Sequence, residues 1–474
     1  MKNHSPFGRF LTAVTFILIV ILLSRTPADA DMWWHLKAGQ VMWEQKSILV
    51  HDVFSYTRFG TLWVNAFWLS DLILYGCYAL DGYFALAMFV ALSGGLAFLL
   101  VSRRMSSNLF SKSGVLLLAA MTAAPIWGPR PQIFSFLIVA WLDAWLTEKP
   151  SPKWILPLLF ALWANLHGGW IWGILLLIAH ISGLFVQALF SSAEGKNSLL
   201  PEALRLAMWT LISVFFIGLN PNGLALWKLP FQQIDVSLQI QEWLSPDFHR
   251  VDFHPMLWML FALFVTAPFA PKPIPWPQIF KVIGFAYMTF VAQRNIALFA
   301  ITAAPLLAEW GNAFLQSIHT RIPTVLTQSK ELRRARLFNA VILLTLGFSA
   351  LFNLVQISQA EKVDGNYPVG AIEWLKDNRP PGRLFNSYNW GGYLIWTLPE
   401  YPVFIDGRAD LYGNDLIQQW HDVVNARSNA FDSLDAWNVN IVLLEPDRPI
   451  IEALKKSGWK MAYEDKKAVI LIRQ

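Results

Sequence analysis

The stretch Asp29-Ala30-Asp31-Met32-Trp33-Trp34-His35 directly follows an almost uncharged apolar run over 10–23. A carboxylate at the water surface of a bilayer is costly unless something pairs with it or binds it. Two carboxylates, two indoles and an imidazole at the exit of a first membrane-length run therefore predict a site built at a membrane face. If 31–35 opens a surface helix, Asp31 and His35 stand at i and i+4 on one side of it. A carboxylate there can act as general base, with the imidazole assisting. The structural alternative is a helix capped by Asp29 or Asp31 and anchored by Trp33 and Trp34. His51 and Asp52 add a second such pair later in the same loop (25–66), with Asp52 also suited to a turn.

Outward from that loop, composition fixes the class. Hydrophobic residues make up 55% of the 474 and charged residues 15%, against about 25% charged in a typical soluble domain. Mean hydropathy is +0.41. Apolar runs recur at 10–24, 83–101, 114–128, 131–147, 153–165, 168–190, 205–219, 255–270, 277–291, 295–310 and 337–355. The prediction is a mainly α, polytopic transmembrane helical bundle of about 11–12 spans, whose count turns on 67–81, a short run containing Asp71. Beyond residue 357, charges of both signs replace the apolar runs. Residues 358–474 alternate helical and strand signals (helices at 369–378, 415–426 and 450–457; strands at 383–385, 403–405, 439–444, 460–463 and 468–472) and predict a small α/β extramembrane domain after a transmembrane domain over 1–357. The lone Cys77 excludes an internal disulfide framework and Cys-rich metal sites. The net charge of +5 comes without basic–aromatic interleaving, so nucleic acid is not an expected partner. A retained first span is favoured over a cleaved signal, although small residues stand at 28–30.

Lys and Arg placement orients the chain. Arg321, Lys330, Arg333, Arg334 and Arg336 precede the last run; Arg103, Arg104 and Lys112 form a second basic loop, and Lys149 and Lys153 a third. With all three cytoplasmic, like the N-terminus, the loops holding Asp31, Arg130, His167, Glu242 and Arg294 fall together on the outer face, as does 358–474. That arrangement requires 67–81 not to be a full span.

Each of those loops has a chemical reading and a bland one. Arg130, in Gly128-Pro129-Arg130-Pro131-Gln132, and Arg294, in Gln293-Arg294-Asn295, offer planar donor forks suited to phosphate; a lone Arg at a helix end also snorkels to headgroups. His167 stands beside Gly168 and Gly169, where backbone can approach a ligand, or is simply a satisfied polar residue. Glu242 can pair with an Arg, hold a cation or sit on the surface. In the terminal domain Asp406, Arg408 and Asp410 follow a short apolar strand, where α/β domains bind ligands; the alternative is an Asp-Gly turn with a surface ion pair. No zinc spacing, Walker loop or nucleophile elbow occurs in the sequence.

The strings DADMWWHLKAGQ (29–40), HDVFSYT (51–57), RPQIFSF (130–136), WANLHGGW (163–170), NPNG (220–223), EWLSPDF (242–248), QRNIALFA (293–300) and WGGYLIW…PVFIDGRADLYG (390–413) together resemble a bacterial branch of the GT-C superfamily of membrane glycosyltransferases, similar in plan to protein O-mannosyltransferases and the lipid A aminoarabinose transferase. Where that branch often carries His-Glu, this chain has Ala66-Phe67. The resemblance implies transfer of a sugar from a polyprenyl-phosphate donor to an envelope glycan, lipid or protein acceptor, at the outer face of the bacterial inner membrane and among membrane lipids. It implies Asp31, then Asp29, as catalytic base with His35 nearby, Arg130 and Arg294 on the donor phosphate, and His167, Glu242, His51 and Asp52 around the acceptor. Some relatives use a divalent cation such as Mg or Mn, for which Asp29, Asp31 and Glu242 are the candidate ligands; metal use is left open. Two other readings stand beside it: a transporter or flippase of lipid-linked glycans, which usually has repeated halves and mid-span charges not evident here, and a non-catalytic scaffold.

Overall fold

The structure, a computed structural model, describes residues 6–26, 29–147, 152–229, 241–319, 333–359 and 364–473. Lys149, Arg321 and Lys330, on which part of the charge orientation rests, lie outside the described residues. Every predicted apolar run is helical. The bundle is formed by α1 (Pro6–Leu23), α3 (Trp68–Arg103), α4 (Leu109–Ala123), α5 (Gln132–Trp145), α6 (Ile155–Leu166), α7 (Trp170–Leu189), α8 (Ala193–Phe216) and helices at His254–Thr266, Trp276–Val291, Ile296–His319 and Arg333–Ile357. Seven helical stretches among the described residues are long and apolar enough to cross a membrane, and three shorter apolar helices accompany them. Ile296–His319 is the hub. It packs on α3, α4, α5, His254–Thr266 and Trp276–Val291, and its residues Ile296, Ala297, Leu298, Phe299, Ala300 and Ile301 are wholly buried. The last helix is the least buried of the seven.

The ambiguous run 67–81 belongs to α3, which breaks at Asp81 and Gly82 (φ 53°), a backbone conformation open to glycine. The part before the break, about 13 residues, rises roughly 20 Å at 1.5 Å per residue and is too short for a perpendicular crossing of about 30 Å. It packs instead against α2 (Met32–Gln45), the surface helix of the first loop. Far from that loop, buried charges are paired, as a low-dielectric interior demands: Asp143 near the end of α5 accepts from both Arg104 and Lys281, and Arg104 also donates to Gln278 at 2.6 Å.

Residues 364–473 form a four-stranded sheet in the order β1-β2-β4-β3, with β1 (Arg383–Asn386) parallel to β2 (Val439–Leu444) and β3 (Lys460–Glu464) antiparallel to β4 (Val469–Ile472), which is antiparallel to β2. The helices Val369–Asn378 and Pro449–Lys456 match their sequence signals within a residue. Residues 403–405 do not form the strand expected of them. Val403 makes a single bridge to Ser55, and side chains take the neighbouring backbone groups: Phe404 N–H donates to Asn386 Oδ1 (2.8 Å), Asn386 Nδ2 donates to the Ile405 carbonyl (2.8 Å) and Thr57 Oγ1 to the Phe404 carbonyl (2.6 Å).

The first loop and the sheet share one core. Met32, Trp33, Trp34 and Leu36 of α2 cluster with Trp390, Tyr393 and Leu394 and, through Leu384, with Ile441, Leu443 and Ile470 of the sheet. Packing thus joins what composition separates: α2 lies between the bundle and the C-terminal layer.

Candidate active site

Where α2 begins, stretches from both the bundle and the C-terminal layer meet around a cavity of about 370 Å³. Asp29, Asp31, Trp34 and His35 come from the first loop and its helix. Arg130 comes from the proline-bounded turn before α5, His167 from the end of α6, and Glu242, Trp243 and Arg294 from the turns flanking His254–Thr266 and Ile296–His319. Tyr388, Asn389, Gly407 and Asp410 of the C-terminal layer close it. Tyr388 and Asn389 follow β1 after Ser387, at the carboxyl edge of the parallel strand pair where α/β layers bind ligands.

Three carboxylates converge on one guanidinium. Arg130 Nη1 lies 3.1 Å from Asp31 Oδ2 and 2.9 Å from Glu242 Oε2, and Arg130 Nε lies 3.1 Å from Asp29 Oδ2. The remaining oxygen of Asp31, Oδ1, accepts from Trp34 Nε1 at 3.2 Å, and Asp29 Oδ1 accepts from the Asp31 backbone N–H at 3.0 Å. Burial pushes Asp31 up to about 7, against the pull of Arg130 and with the help of Asp29 and Glu242. Asp29 is raised in the same way. Glu242 goes the other way: burial raises it, but Arg130 and Arg294 outweigh that and hold it below the usual carboxylate range. The surplus of negative charge over Arg130 is thus absorbed by the two aspartates, and Asp31 is poised to change protonation near neutrality.

Arg294 is placed differently. Its guanidinium stacks over Trp243 (4.2 Å) and Trp172 (5.7 Å), and no carboxylate lies within 4 Å of it among the described residues. Arg250 also lines the cavity but pairs with Asp252 at 2.8 Å. Of the two arginines expected at a phosphate, Arg130 organises the carboxylates, whereas Arg294 meets two indoles and, among the described residues, no carboxylate.

The same engagement decides how the site fits a divalent cation. Asp29, Asp31 and Glu242 each direct an oxygen at Arg130, and among the described residues no group of three His, Cys, Asp or Glu side chains could hold an ion. As arranged, the carboxylates do not make a ligand set, because a guanidinium stands where the ion would.

Four sequence candidates lie outside the cavity. His51 is exposed, bridging to Leu62 at the loop surface. Asp52 is buried against Arg408, which also holds Asp406; these three form a structural knot rather than a binding surface, since none lines the cavity. Asp410 does line it, and burial pushes it up to about 6. Sequence reasoning missed Tyr388, Asn389, Trp243 and Phe67 as lining residues. The only signal available for Tyr388 and Asn389 was their place after a short strand.

Two glycines of the C-terminal layer make room for the acidic loop. A Cβ on Gly407 would fall 1.8 Å from Asp31 Oδ1, and one on Gly392 would fall 2.5 Å from the Ala30 carbonyl. A Gly407→Ala variant is therefore expected to displace the Asp31 carboxylate from Trp34 and lower activity at least about tenfold, since an ångström of misplacement can cost up to 100-fold, while the unfolding temperature changes little. Parallel activity and melting measurements check this.

Neither a family model nor a curated protein sequence matches the chain. Among solved structures, an archaeal oligosaccharyltransferase, AglB from Archaeoglobus fulgidus in complex with an inhibitory peptide and a dolichol-phosphate, superposes with a TM-score of 0.57 at 13% identity, over 93% of this chain and 70% of that one. The Archaeoglobus fulgidus enzyme in the apo form gives 0.55 at 12%, over 92% and 69%. ArnT from Cupriavidus metallidurans bound to undecaprenyl phosphate gives 0.49 at 15%, over 99% and 98%. The chain shares the fold of the Archaeoglobus fulgidus oligosaccharyltransferase. At these identities the likeness concerns the fold, and the chemistry must be argued from the cavity itself.

Proposed function

We propose that the chain is a membrane glycosyltransferase that moves a sugar from a polyprenyl-phosphate donor to an envelope acceptor at the outer face of the inner membrane. One observation carries the reading: Asp31, able to take a proton near neutrality, and Arg294, which meets no carboxylate within 4 Å among the described residues, come from opposite ends of the bundle sequence and line one cavity. In the step they suit, Asp31 removes the proton of an acceptor hydroxyl as its oxygen bonds to the anomeric carbon. The bond from that carbon to the phosphate oxygen breaks, and Arg294 stabilises the charge on the departing lipid phosphate. Arg130 holds Asp29, Asp31 and Glu242 in register. The oligosaccharyltransferase neighbour, in complex with a dolichol-phosphate, agrees in carrier class. The outward orientation is supported by Asp143, which pairs with Arg104 near the end of α5. The cavity lies at Gln132, the other end of that helix, about 17 Å away at 1.5 Å per residue, so the Arg103–Arg104 loop and the site occupy opposite ends of the helix.

Mass analysis of envelope glycans from cells with and without the gene tests the reading: a glycan species should disappear on deletion and return on complementation, and an unchanged profile would contradict transfer. Two further outcomes follow. Because Asp31 is raised to about 7, its protonated form persists to higher pH, so activity should climb as pH rises from 6 to 8 instead of near 4; a flat profile there would remove Asp31 as base. Chelation with EDTA should leave transfer unchanged, since Arg130 already occupies the carboxylates. Loss of activity restored by Mg or Mn would return Asp29, Asp31 and Glu242 to the ligand role suggested by sequence.

A further inference from the structure

The seam between the first loop and the C-terminal layer opens into a second cavity, of about 690 Å³. Tyr56 of the first loop lines it, together with Arg379, Arg383, Glu400 and Tyr401 of the layer. Arg379 follows the helix Val369–Asn378 and Arg383 opens β1, and both are exposed. Arg379 Nε donates to the Lys376 carbonyl at 3.1 Å and Arg383 Nη1 to the Trp437 carbonyl at 3.0 Å, and among the described residues no carboxylate lies within 4 Å of either guanidinium. Glu400 is the one carboxylate in the lining among the described residues, so the cavity carries a net positive charge. Paired guanidinium donors of this kind suit carboxylate or phosphate groups.

The walls are held in place. The Tyr401 hydroxyl donates to the Pro380 carbonyl at 2.8 Å, and the Arg383 guanidinium lies 5.2 Å from the centre of the Tyr56 ring. Exposed Pro381 and Pro402 add C–H surface beside the half-buried Tyr401. Flat apolar walls with a few charged groups fix both the packing and the orientation of a ligand. The position of the cavity gives it a role. Two adjacent segments each have one end in either cavity: 383–388 runs from Arg383 to Tyr388, and 402–407 from Pro402 to Gly407. Asn386 ties them together, accepting from the Phe404 N–H and donating to the Ile405 carbonyl, both at 2.8 Å. Five residues of chain cover at most about 17 Å, a gap that an oligosaccharide bridges and a single sugar does not.

We propose that this second cavity docks the acceptor, and that the acceptor is an anionic saccharide chain. Arg379 and Arg383 hold acidic groups on its rings, Tyr401, Pro381 and Pro402 pack against the rings, and the chain follows the seam until its end enters the cavity at Asp31. Glu400 opposes the charge of the ligand and keeps binding weak enough for the chain to advance. The acceptor role rests on the transferase reading above, whereas the capacity to bind an anionic saccharide does not.

The test is binding of fluorescently labelled hexagalacturonic acid to the full chain in phosphatidylcholine nanodiscs. Binding should saturate and weaken as salt rises. The double variant Arg379→Gln, Arg383→Gln should weaken it at least about tenfold, the loss expected when charge-assisted hydrogen bonds are removed, with the melting temperature unchanged. Glu400→Gln should tighten it, and this second variant decides the matter if the first fails to fold. Maltohexaose, of the same length without charge, should not compete, and hexaglutamate should compete poorly. No binding of hexagalacturonic acid, or binding indifferent to both variants, would overturn the proposal. Equal competition by maltohexaose would refute the role of the arginines, and equal competition by hexaglutamate would make the ligand an acidic peptide instead. Binding that the arginines control, in a protein whose deletion leaves the envelope glycans unchanged, would sink the transferase reading and the acceptor role with it, and leave the cavity an anionic-saccharide site.

Discussion

Replacing Arg408 by Leu is expected to lower the stability of the chain by roughly 3–5 kcal/mol, the cost of breaking a buried ion pair from one side. The Arg408 side chain is fully buried. Its Nη1 donates to Asp52 Oδ1 at 2.7 Å, its Nε and Nη2 donate to the two oxygens of Asp406 at 2.8 and 2.7 Å, and Asp406 also accepts from the Tyr412 hydroxyl. The guanidinium lies over Trp63 at 4.9 Å and Phe54 at 5.2 Å. Leu fills part of the volume but leaves Asp52 and Asp406 as two buried carboxylates with no cation. Because Asp52 belongs to the first loop and Asp406 to the C-terminal layer, the damage concentrates where these two stretches meet. Thermal unfolding in nanodiscs should show a large fall in melting temperature, and limited proteolysis should open the loop near residue 58. Asp52→Asn should do less harm, since Asp406 still pairs with Arg408. A melting temperature unchanged in Arg408→Leu would mean that the knot does not fasten the loop to the layer.

The largest effect on activity is expected from Asp31→Asn. The amide keeps the shape of the carboxylate and can still accept from Trp34 Nε1, but it takes no proton, and positioned general bases typically contribute 10²- to 10⁴-fold. Transfer should fall by about that much, and the rise in activity between pH 6 and 8 should vanish with it. Stability should hold, because one negative charge leaves a cluster in which three carboxylates face Arg130. Asp29→Asn shares the electrostatic change but not the contact with Trp34, so a much smaller loss separates the two roles. Equal losses in both would move the base from Asp31 to the pair.

Much of this arrangement is legible in the amino-acid sequence. Hydropathy places all eleven apolar runs, because a helix buried in lipid has to be apolar along its whole length. That Asp31, Arg130, His167, Glu242 and Arg294 should fall together is expected from counting crossings with 67–81 not spanning; the five line one cavity, and 67–81 packs on α2 before the break at Asp81–Gly82. What sequence does not reveal is partnership. Arg130 and Arg294 look alike as arginines at helix ends, yet one meets three carboxylates and the other two indoles. Asp52 and Arg408 look like separate candidates in separate regions, and they are a single buried pair. Asp71 reads as an awkward charge in an apolar run, and its reason is an imidazole 36 positions earlier. Such pairings depend on packing between distant segments, which periodicity cannot report.

The central claim, that Asp31 and Arg294 face one reacting phosphate-linked sugar, is tested most directly by electron cryomicroscopy of the full chain with undecaprenyl phosphate. The account predicts phosphate density within hydrogen-bonding distance of Arg294, inside the cavity bounded by Asp31, Trp243 and Tyr388, with the lipid tail leaving between helices. Phosphate density elsewhere on the bundle, or an Arg294 side chain turned away from it into lipid, would contradict the account.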